Sequence, residues 1–386
     1  MEYIFVLGRN FELSLAELLC FFKRKSIDFK FVDFLKDMNL VIFDINSKFE
    51  PKYAMKFLGG TIKIAKILIR ENGMKQLKEK IKNIFLWEGK ENKINYAVTS
   101  DEKTIEILGD IQNNLKNDKL RAFKVSFGKE NPSKAKKIDL DLFSFYSEYE
   151  KKYFLARIEA VYDTTLAEKV DMQKPVRRQE LAISPRLAKI LINLSEVKED
   201  GVLMDPFCGI GSILIESLMQ KQKFIGMDIN EDSIKGAKRN LDWIKKEFNI
   251  NFYSYTLKVQ NTIFMEIFAD AAATEPNLGP LNKKNFSPKE AEAIKKRLEN
   301  FYHAIFFKLR KYIKGKIAIT MPRLILNQGK HVSLDVVKLC EQTAMRICNP
   351  LQDANFENFE MPFVDQREKQ HVVREIWILE KGEKLD

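Results

Sequence analysis

Two glycines and two acidic residues near the middle of the chain have the spacing of a ligand-binding loop. Asp205 is followed by Gly209 and Gly211, and Asp228 comes 19 residues after Gly209. Glycines let a backbone approach a ligand closely, and a helix that begins after them offers unpaired backbone N–H groups. An acidic residue at the end of the next strand can accept both hydroxyls of a ribose. The pattern therefore predicts a site for an adenosine-containing ligand.

Three interpretations of this loop compete. A turn in an unrelated α/β fold would need no paired acidic residue. A dinucleotide oxidoreductase has a third glycine three residues after the second, where this chain has Leu214. Asp205 would also repel a pyrophosphate, whereas the amino group and the sulfonium of S-adenosylmethionine are cationic. The loop therefore favours S-adenosylmethionine over NAD.

The segments around the loop alternate between strand-like and helix-like patterns. Short apolar runs predict strands, and apolar residues at helical spacing predict helices. The predicted strands are 201–204, 224–227, 271–274, 316–320 and 372–379, and the predicted helices are 185–194, 212–220, 232–248 and 288–309. Strands that alternate with helices indicate a parallel sheet covered on both faces.

The first 165 residues have a different texture, in which short β-rich runs stand between basic helices. The predicted strands are 3–7, 40–43, 94–98 and 153–161, and the predicted helices are 13–22, 74–85 and 103–115. This mixture indicates an α+β region. Residues 166–182 are polar and are predicted to form a linker.

The composition indicates a soluble protein with excess positive charge. The 386 residues suffice for two or three domains, and 65 Lys and Arg against 54 Asp and Glu leave a formal net charge of +11. Such an excess suggests a polyanionic partner. Residues 113–137 concentrate the charge, with eight basic residues against two acidic ones. This segment is either a solvated face or a surface that contacts phosphates.

The sequence shows no sign of a membrane segment or a disulfide framework. No apolar run reaches the roughly 18 residues that cross a bilayer, and the N-terminus lacks the pattern of a signal peptide. The four cysteines are scattered, and the three histidines share no ligand spacing with them. We therefore expect a cytoplasmic protein with reduced thiols, without membrane association and without a metal site.

The residues of the glycine loop also resemble a known family. Residues 205–216 and 226–229, with Ala237 and Asn240, resemble the cofactor half of class I RNA methyltransferases that modify guanine N2. The most similar family is that of the THUMP-containing tRNA guanosine-10 N2-methyltransferases. Further segments that resemble this family are 5–10, 13–17, 58–65, 171–178 and 183–195.

The resemblance implies a fold, a cofactor and a substrate. It implies a class I, Rossmann-like methyltransferase domain at 183–386, after a linker at 166–182 and an α+β region with a THUMP-like RNA-binding domain at 1–165. The cofactor would be S-adenosyl-L-methionine, and the methyl group would go to N2 of a guanosine in tRNA, at position 10. The residues that would bind the cofactor are Asp205, Phe207, Gly209, Gly211, Asp228, Ile229 and Asn261.

A second motif follows the predicted strand 271–274. Methyltransferases of exocyclic amines carry Asp or Asn there, followed by two prolines and an aromatic residue. This chain has Glu275, Pro276 and Asn277, and it continues with Leu-Gly-Pro, which resembles a variant in related bacterial-type proteins. Glu275 is expected to accept the amine hydrogens and Pro276 to stiffen the turn. Asn277 replaces the expected proline or aromatic residue, so that stacking on the base must come from elsewhere or be lost.

The N-terminal region is expected to hold tRNA through its phosphates and its shape. The predicted RNA contacts are Lys116, Lys119, Arg121, Lys124, Lys134, Lys136, Lys137, Arg177 and Arg178. Two alternatives stay open. One is an RNA-binding protein with a weakened catalytic half, and the other is an amine methyltransferase that acts on another nucleic acid, such as DNA adenine N6. The sequence also leaves open whether a small activating subunit is needed.

Overall fold

A computed structural model describes residues 1–46, 48–125, 137–178, 183–252, 254–280, 286–326, 330–356, 358–366 and 372–382. These residues belong to two compact units. Unit 1 comprises residues 1–9, 27–55 and 61–162, and unit 2 comprises residues 10–26, 56–60 and 163–386. Each unit has its own sheet and is described by itself.

The elements of the first part of the chain, in order, are β1 (Glu2–Leu7), α1 (Phe11–Arg24), β2 (Phe29–Leu35), β3 (Leu40–Ile45), α2 (Pro51–Ala54), β4 (Thr61–Glu71), α3 (Met74–Asn83), β5 (Lys93–Ser100), α4 (Leu108–Asn117), β6 (Arg121–Lys124), β7 (Leu140–Ser147) and β8 (Lys152–Val161). Those of the second part are α5 (Thr164–Met172), α6 (Pro185–Leu194), β9 (Val202–Asp205), α7 (Ser212–Met219), β10 (Lys223–Asp228), α8 (Glu231–Glu247), β11 (Tyr255–Val259), β12 (Ala271–Thr274), α9 (Pro288–Tyr312), β13 (Ile317–Ile325), β14 (His331–Ser333), α10 (Val336–Thr343), β15 (Met345–Ile347), β16 (Phe363–Asp365) and β17 (Val372–Lys381).

Unit 1 contains one mixed sheet with the strand order β2-β3-β1-β4-β8-β7-β5-β6. Neighbouring strands run antiparallel, except that β5 is parallel to both β6 and β7. Helices α3 and α4 bury Leu77, Ile81, Ile111 and Leu115 in the core of this unit. The predicted α+β character is confirmed. Strands β2, β4, β6 and β7 were not predicted. In β2 and β6 most residues are exposed or half-buried, so that no clear apolar pattern marks them.

Helix α1 is grouped with unit 2, whereas the sequence placed it within the region 1–165. The buried carboxylate of Glu17 accepts hydrogen bonds from the backbone N–H groups of residues 59 and 60, at 2.7 and 2.6 Å. It also accepts one from Asn193 Nδ2 at 2.9 Å, and the buried Arg24 donates to Asn193 Oδ1 at 2.9 Å. Because Asn193 lies 169 residues beyond Arg24, local sequence texture could not reveal this arrangement.

Much of the predicted linker 166–182 is helical. Helix α5 spans Thr164–Met172, and the side chain of Asp163 caps it by accepting a hydrogen bond from Leu166 N at 2.8 Å. The polar character of the segment therefore belongs to a short surface helix and to the turn after it. Residues 179–182 lie outside the described residues.

Unit 2 is built around a sheet with the order β11-β10-β9-β12-β13-β17-β15, with β14 beside β13 and β16 beside β17. From β11 to β13 the neighbouring strands are parallel, and β17 lies antiparallel between β13 and β15. The predicted strands and helices of this half are confirmed, with small shifts at their ends. The strand order reverses between β9 and β12, and ligands of open α/β sheets bind at the carboxyl ends of strands at such a point.

Two helices of unit 2 begin at Ser-Pro steps that fix their first turns. Ser184 accepts a hydrogen bond from Leu187 N at 3.2 Å at the start of α6, as predicted. Ser287 and Glu290 form a reciprocal capping box at the start of α9. Proline at the first helical position costs nothing there, because its missing N–H would have no helical partner. No helix in the described part of the chain is long and apolar enough to cross a bilayer.

Candidate active site

A cavity of about 340 Å³ opens in unit 2 at the carboxyl ends of β9 and β12. The described residues that line it are Arg178, Ile183, Asp205, Phe207, Cys208, Gly209, Ile210, Ser212, Ile213, Asp228, Glu275, Pro276, Asn277, Leu278 and Gly279. The glycine loop and the motif after β12 therefore meet in one place. Three carboxylates and one guanidinium, that of Arg178, contribute to its walls.

The glycine loop has the backbone conformation that requires glycine. Gly209 and Gly211 have φ angles of +51° and +90°, in the left-handed region where a Cβ atom is strained. A Cβ on Gly211 would also lie 3.2 Å from the Cβ of Ala237. Gly211 directly precedes α7, so the unpaired N–H groups of that helix begin at the cavity wall. The loop thus forms a cradle that a larger residue would deform.

Asp205 ends β9 and is 2% exposed. Its Oδ1 atom accepts hydrogen bonds from Thr274 Oγ1 at 2.7 Å and from Phe207 N at 3.1 Å. Burial raises the pKa of Asp205 to about 7, even though these hydrogen bonds favour the ionised form. Both donors are neutral groups. A cationic ligand group placed in the cavity beside Asp205 could therefore form an ion pair with its carboxylate.

Asp228 ends β10 on the other side of β9. Its Oδ2 atom accepts a hydrogen bond from Gly209 N at 2.9 Å, and its Oδ1 atom accepts one from Asn230 N at 2.8 Å. A carboxylate offers about four acceptor positions, so these two backbone bonds fix its orientation and leave capacity for two hydroxyl donors. This geometry suits the vicinal hydroxyls of a ribose.

Glu275 differs from the free acceptor that the sequence predicted. Arg374 on β17 binds both of its carboxylate oxygens, with Nε–Oε2 at 2.6 Å and Nη2–Oε1 at 3.0 Å, and Thr320 Oγ1 donates to Oε2 at 3.1 Å. Burial alone would lower the pKa of Arg374, but its bonds to Glu275 raise it above the ordinary value. Arg374 therefore stays charged against Glu275, and one acceptor position of Oε1 remains for another donor.

The rest of the motif is held against α9. The Oδ1 atom of Asn277 accepts a hydrogen bond from Gly279 N at 2.8 Å, so the amide closes its own turn. The carbonyl oxygen of Asn277 accepts a hydrogen bond from Tyr302 Oη at 3.2 Å. Pro276 is buried and lines the cavity, as its predicted stiffening role requires. Asn277 is exposed and provides no aromatic surface.

Two of the predicted cofactor residues do not line the cavity in the described part of the chain. Ile229 is 69% exposed next to Asp228. The Oδ1 atom of Asn261 accepts a hydrogen bond from Ile263 N at 3.0 Å and caps the short 3₁₀ helix Thr262–Phe264. An adenine that extended beyond Asp228 would approach both residues only from outside the cavity.

The predicted RNA contacts fall on two parts of the chain. Arg178 lines the cavity, and Arg177 lies next to it in sequence. Lys116, Lys119, Arg121, Lys124 and Lys137 are all exposed around the end of α4 and the edge strand β6. Phe123, between them, is 51% exposed and is therefore not a core residue. Lys134 and Lys136 lie outside the described residues.

Sequence reasoning missed the residues that support the two carboxylates. Arg374 lies 99 residues after Glu275, and Tyr302 lies 25 residues after Asn277. Thr274 directly precedes Glu275, but its hydroxyl points to Asp205, 69 residues earlier. Nothing in the local pattern marks these partners, because they lie on elements far apart in sequence: Arg374 on β17, Asp205 at the end of β9, and Tyr302, which binds the turn at Asn277, on α9.

The strand order and the glycine loop of unit 2 define a class I methyltransferase fold. The structure of TrmN from Thermus thermophilus has a TM-score of 0.52 and 12% identity, with 99% of this chain and 100% of that chain covered. At such identity the likeness shows the fold alone. Residues 175–265 match the family described as RMKL-like, methyltransferase domain.

Part of the chain is also similar in sequence to curated tRNA-modifying proteins. The chain is 30% identical to the tRNA (guanine(10)-N2)-dimethyltransferase of Pyrococcus abyssi over 156 residues, which are 39% of this chain and 43% of that protein. It is 35% identical to a probable tRNA (guanine(10)-N2)-dimethyltransferase of Methanothermococcus thermolithotrophicus over 102 residues, which are 24% of this chain and 60% of that protein. The chain thus matches about half of the length of these relatives. The resemblance predicted from the sequence is confirmed.

Proposed function

We propose that this protein transfers a methyl group from S-adenosyl-L-methionine to the exocyclic N2 of a guanosine in tRNA, at position 10. The observation that carries the proposal is one cavity that joins the glycine loop, Asp228 and the motif at 275–277. The names of the curated relatives supply the substrate, the position and the class of reaction.

The cavity fits the proposed cofactor by charge and by shape. The buried carboxylate of Asp205, with neutral donors only among its hydrogen-bond partners, suits the cationic amino group. Asp228 suits the ribose, and the cradle at Gly209 and Gly211 admits a ligand close to the backbone. Phe207, through the backbone N–H that holds Asp205, completes the proposed set together with Ile229 and Asn261, which lie at its outer edge. S-adenosylmethionine, when bound, supplies an electrophilic methyl group.

The chain's own residues would orient the amine. The lone pair of an exocyclic amine is delocalised into the ring, so the nitrogen needs acceptors for its hydrogens that turn it toward the methyl group. Glu275 Oε1 has one acceptor position left after Arg374 is bound, and backbone carbonyls of the turn at Pro276 are the other acceptors nearby. Because Arg374 holds Glu275, the carboxylate has a fixed orientation. We propose direct transfer, without a covalent enzyme intermediate.

RNA would reach the cavity from surfaces that carry exposed cations. We propose that unit 1 contains the THUMP-like RNA-binding domain and contacts phosphates through Arg121, Lys124 and their exposed neighbours. Arg178 at the cavity would contact the target nucleotide itself. Four free and buried cysteines support a cytoplasmic location.

Two observations favour a second candidate function. Glu275 is already bound by Arg374 and Thr320, and Asn277 stands where a proline or an aromatic residue is expected. Both features would weaken catalysis. An RNA-binding protein that has kept its cofactor fold but lost most of its transfer activity is therefore the alternative.

Methyl transfer to an unmodified tRNA transcript tests the proposal. Labelled S-adenosylmethionine is supplied, and the digested RNA is analysed for N2-methylguanosine. We expect label in a transcript with guanosine at position 10, none after G10→A replacement, and none with Asp228→Asn. The matched control is Glu231→Gln, an exposed acid three residues away that does not line the cavity. Absence of label from a protein that still binds both cofactor and tRNA would contradict the proposal and support the alternative.

A further inference from the structure

The cavity offers one aromatic surface among its described lining residues, and that surface is Phe207. A base that has been taken out of its helix is usually held between apolar or aromatic side chains. Asn277 cannot fill this role, because it has no ring and its amide is bonded to Gly279 N. A stacking contact for the base would therefore have to come from another element.

Phe207 lines the same cavity as this motif, and both contact helix α9. It follows β9, whose direct neighbours are β12 and β10. The ring of Phe207 contacts the ring of Phe301 on α9, with centroids 5.8 Å apart and planes at 60°. The turn after β12 is bound to the same helix, because Tyr302 Oη donates to the carbonyl of Asn277 at 3.2 Å. The ring of Phe207 and the turn after β12 thus both contact helix α9, whereas Asp228 lies at the end of β10.

The backbone and the side chain of Phe207 also have separate tasks. Its backbone N–H donates to Asp205 Oδ1 at 3.1 Å and so helps to orient the carboxylate that is proposed to bind the cationic group of the cofactor. Its ring is half-buried and packs beside the core cluster that contains Leu298 and Tyr302. Contact with Phe301 restricts the rotation of the ring while part of it remains accessible from the cavity.

We propose that the ring of Phe207, the aromatic residue among the described residues that line the cavity, stacks on the target guanine. This inference rests on the proposed function and assigns the substrate side of the same cavity. The stacked base would present its amine edge to Glu275 and Pro276, which line the same cavity. Stacking tolerates any base, so selectivity for guanine would come from the polar groups of the turn.

Another use of the ring can be separated by experiment. An aromatic face also attracts cations, and the sulfonium of S-adenosylmethionine is a cation. In that case loss of the ring would weaken binding of S-adenosylmethionine but leave binding of S-adenosylhomocysteine, which lacks the positive sulfur, unchanged. Base stacking predicts no change in either affinity.

The test compares Phe207→Leu, Phe207→Tyr and a control, Phe264→Leu, which alters an aromatic residue that is 70% exposed outside the cavity. Affinity is measured, with S-adenosylhomocysteine present, for a tRNA with guanine at position 10 and for the same tRNA with an abasic position 10. Calorimetry with each cofactor form supplies the second readout, and thermal melting checks that each variant is folded.

We expect the wild-type protein to prefer the guanine-containing tRNA by about 5- to 100-fold. Phe207→Leu should lose most of this preference with both cofactor affinities unchanged within twofold, whereas Phe207→Tyr and Phe264→Leu should keep it. A preference retained in Phe207→Leu, or a loss confined to S-adenosylmethionine affinity, would overturn the inference. Because this readout needs no methyl transfer, an inactive wild-type protein that still prefers guanine would refute the proposed function and leave the stacking site standing.

Discussion

Asp205 and Glu275 occupy similar places in the sheet but have opposite electrostatic surroundings. Each lies where one of two neighbouring parallel strands, β9 and β12, ends at the cavity. Asp205 is buried with only neutral hydrogen-bond donors, Thr274 and the backbone of Phe207. Glu275 is bound at both oxygens by the guanidinium of Arg374.

This difference indicates which carboxylate is kept for a ligand. A buried charge without a counter-ion is costly, and the raised pKa of Asp205 expresses that cost. A cationic ligand would remove it. Glu275 already has a counter-ion within the protein, Arg374, which fixes the orientation of its carboxylate. We therefore propose Asp205 as the carboxylate that binds the ligand and Glu275 as the carboxylate that the protein holds in place.

The largest effect is expected from Arg374→Leu. Removal of the guanidinium leaves a poorly solvated carboxylate without its partner, which typically costs about 3–5 kcal/mol. Glu275 and the turn after it would lose their fixed orientation, and misplacement by about 1 Å can lower a rate about 100-fold. Thermal melting and single-turnover methyl transfer measure the two effects.

Arg323→Leu is the matched control for this experiment. Arg323 Nε on β13 donates to the buried carboxylate of Glu375 on β17 at 2.7 Å, but Arg323 does not line the cavity. We expect a similar loss of stability with methyl transfer retained within about threefold at a temperature where both variants are folded. Equal losses of activity in the two variants would show that Arg374 has only a structural role.

Asp205→Asn is expected to stabilise the protein while it destroys cofactor binding. Folded Asp205 keeps its proton up to about pH 7, whereas the unfolded residue releases it near 3.8. The contribution of this group to the free energy of unfolding therefore decreases as pH rises from about 4 to about 7. At pH 8 the variant should be more stable than the wild type by ~2–4 kcal/mol, with almost no difference at pH 4. Denaturant unfolding at the two pH values measures this, and an identical pH dependence in both proteins would contradict it.

A smaller effect is expected from the threonines that support the two carboxylates. Thr274 donates to Asp205 Oδ1 at 2.7 Å, and Thr320 donates to Glu275 Oε2 at 3.1 Å. Thr274→Val should destabilise the ionised form of Asp205 by about 1.5–3 kcal/mol. Cofactor binding, which needs that form, should therefore shift to higher pH. Thr320→Val should cost about 1 kcal/mol or less, because Arg374 remains. Cofactor titrations at several pH values compare the two variants. A larger effect of Thr320→Val on cofactor affinity would contradict the assignment of Asp205 as the ligand-binding carboxylate.

The sequence predicted the chemistry of this site better than its supports. The alternation of apolar runs and the glycine spacing depend on neighbours within about 25 residues, so β9, α7 and β10 follow from the sequence alone. The ion pair at Glu275 depends on β17 lying next to β13, which no local pattern reveals. The same holds for α1, whose buried Glu17 finds its partners in unit 2.

Unit 1 shows a second reason for missed elements. Strand β6 is short, and of its four residues Arg121, Phe123 and Lys124 are exposed, so its charge pattern hides its membership of the sheet. The sequence allowed two interpretations of the basic segment 113–137, a solvated face or a surface that contacts phosphates. Phe123 is exposed, so it is not a core residue in either case. Whether these cations contact phosphates remains part of the proposal.

Proton release on cofactor binding tests the account most directly. Calorimetric titration with S-adenosylmethionine at pH 6, in buffers of different ionisation enthalpy, counts the protons exchanged. If a cationic group binds Asp205, the carboxyl must lose its proton, so we predict release of close to one proton by the wild type and by Glu275→Gln, and none by Asp205→Asn. Binding without proton release in the wild type, or release that disappears only in Glu275→Gln, would show that Asp205 is not the carboxylate that receives the ligand.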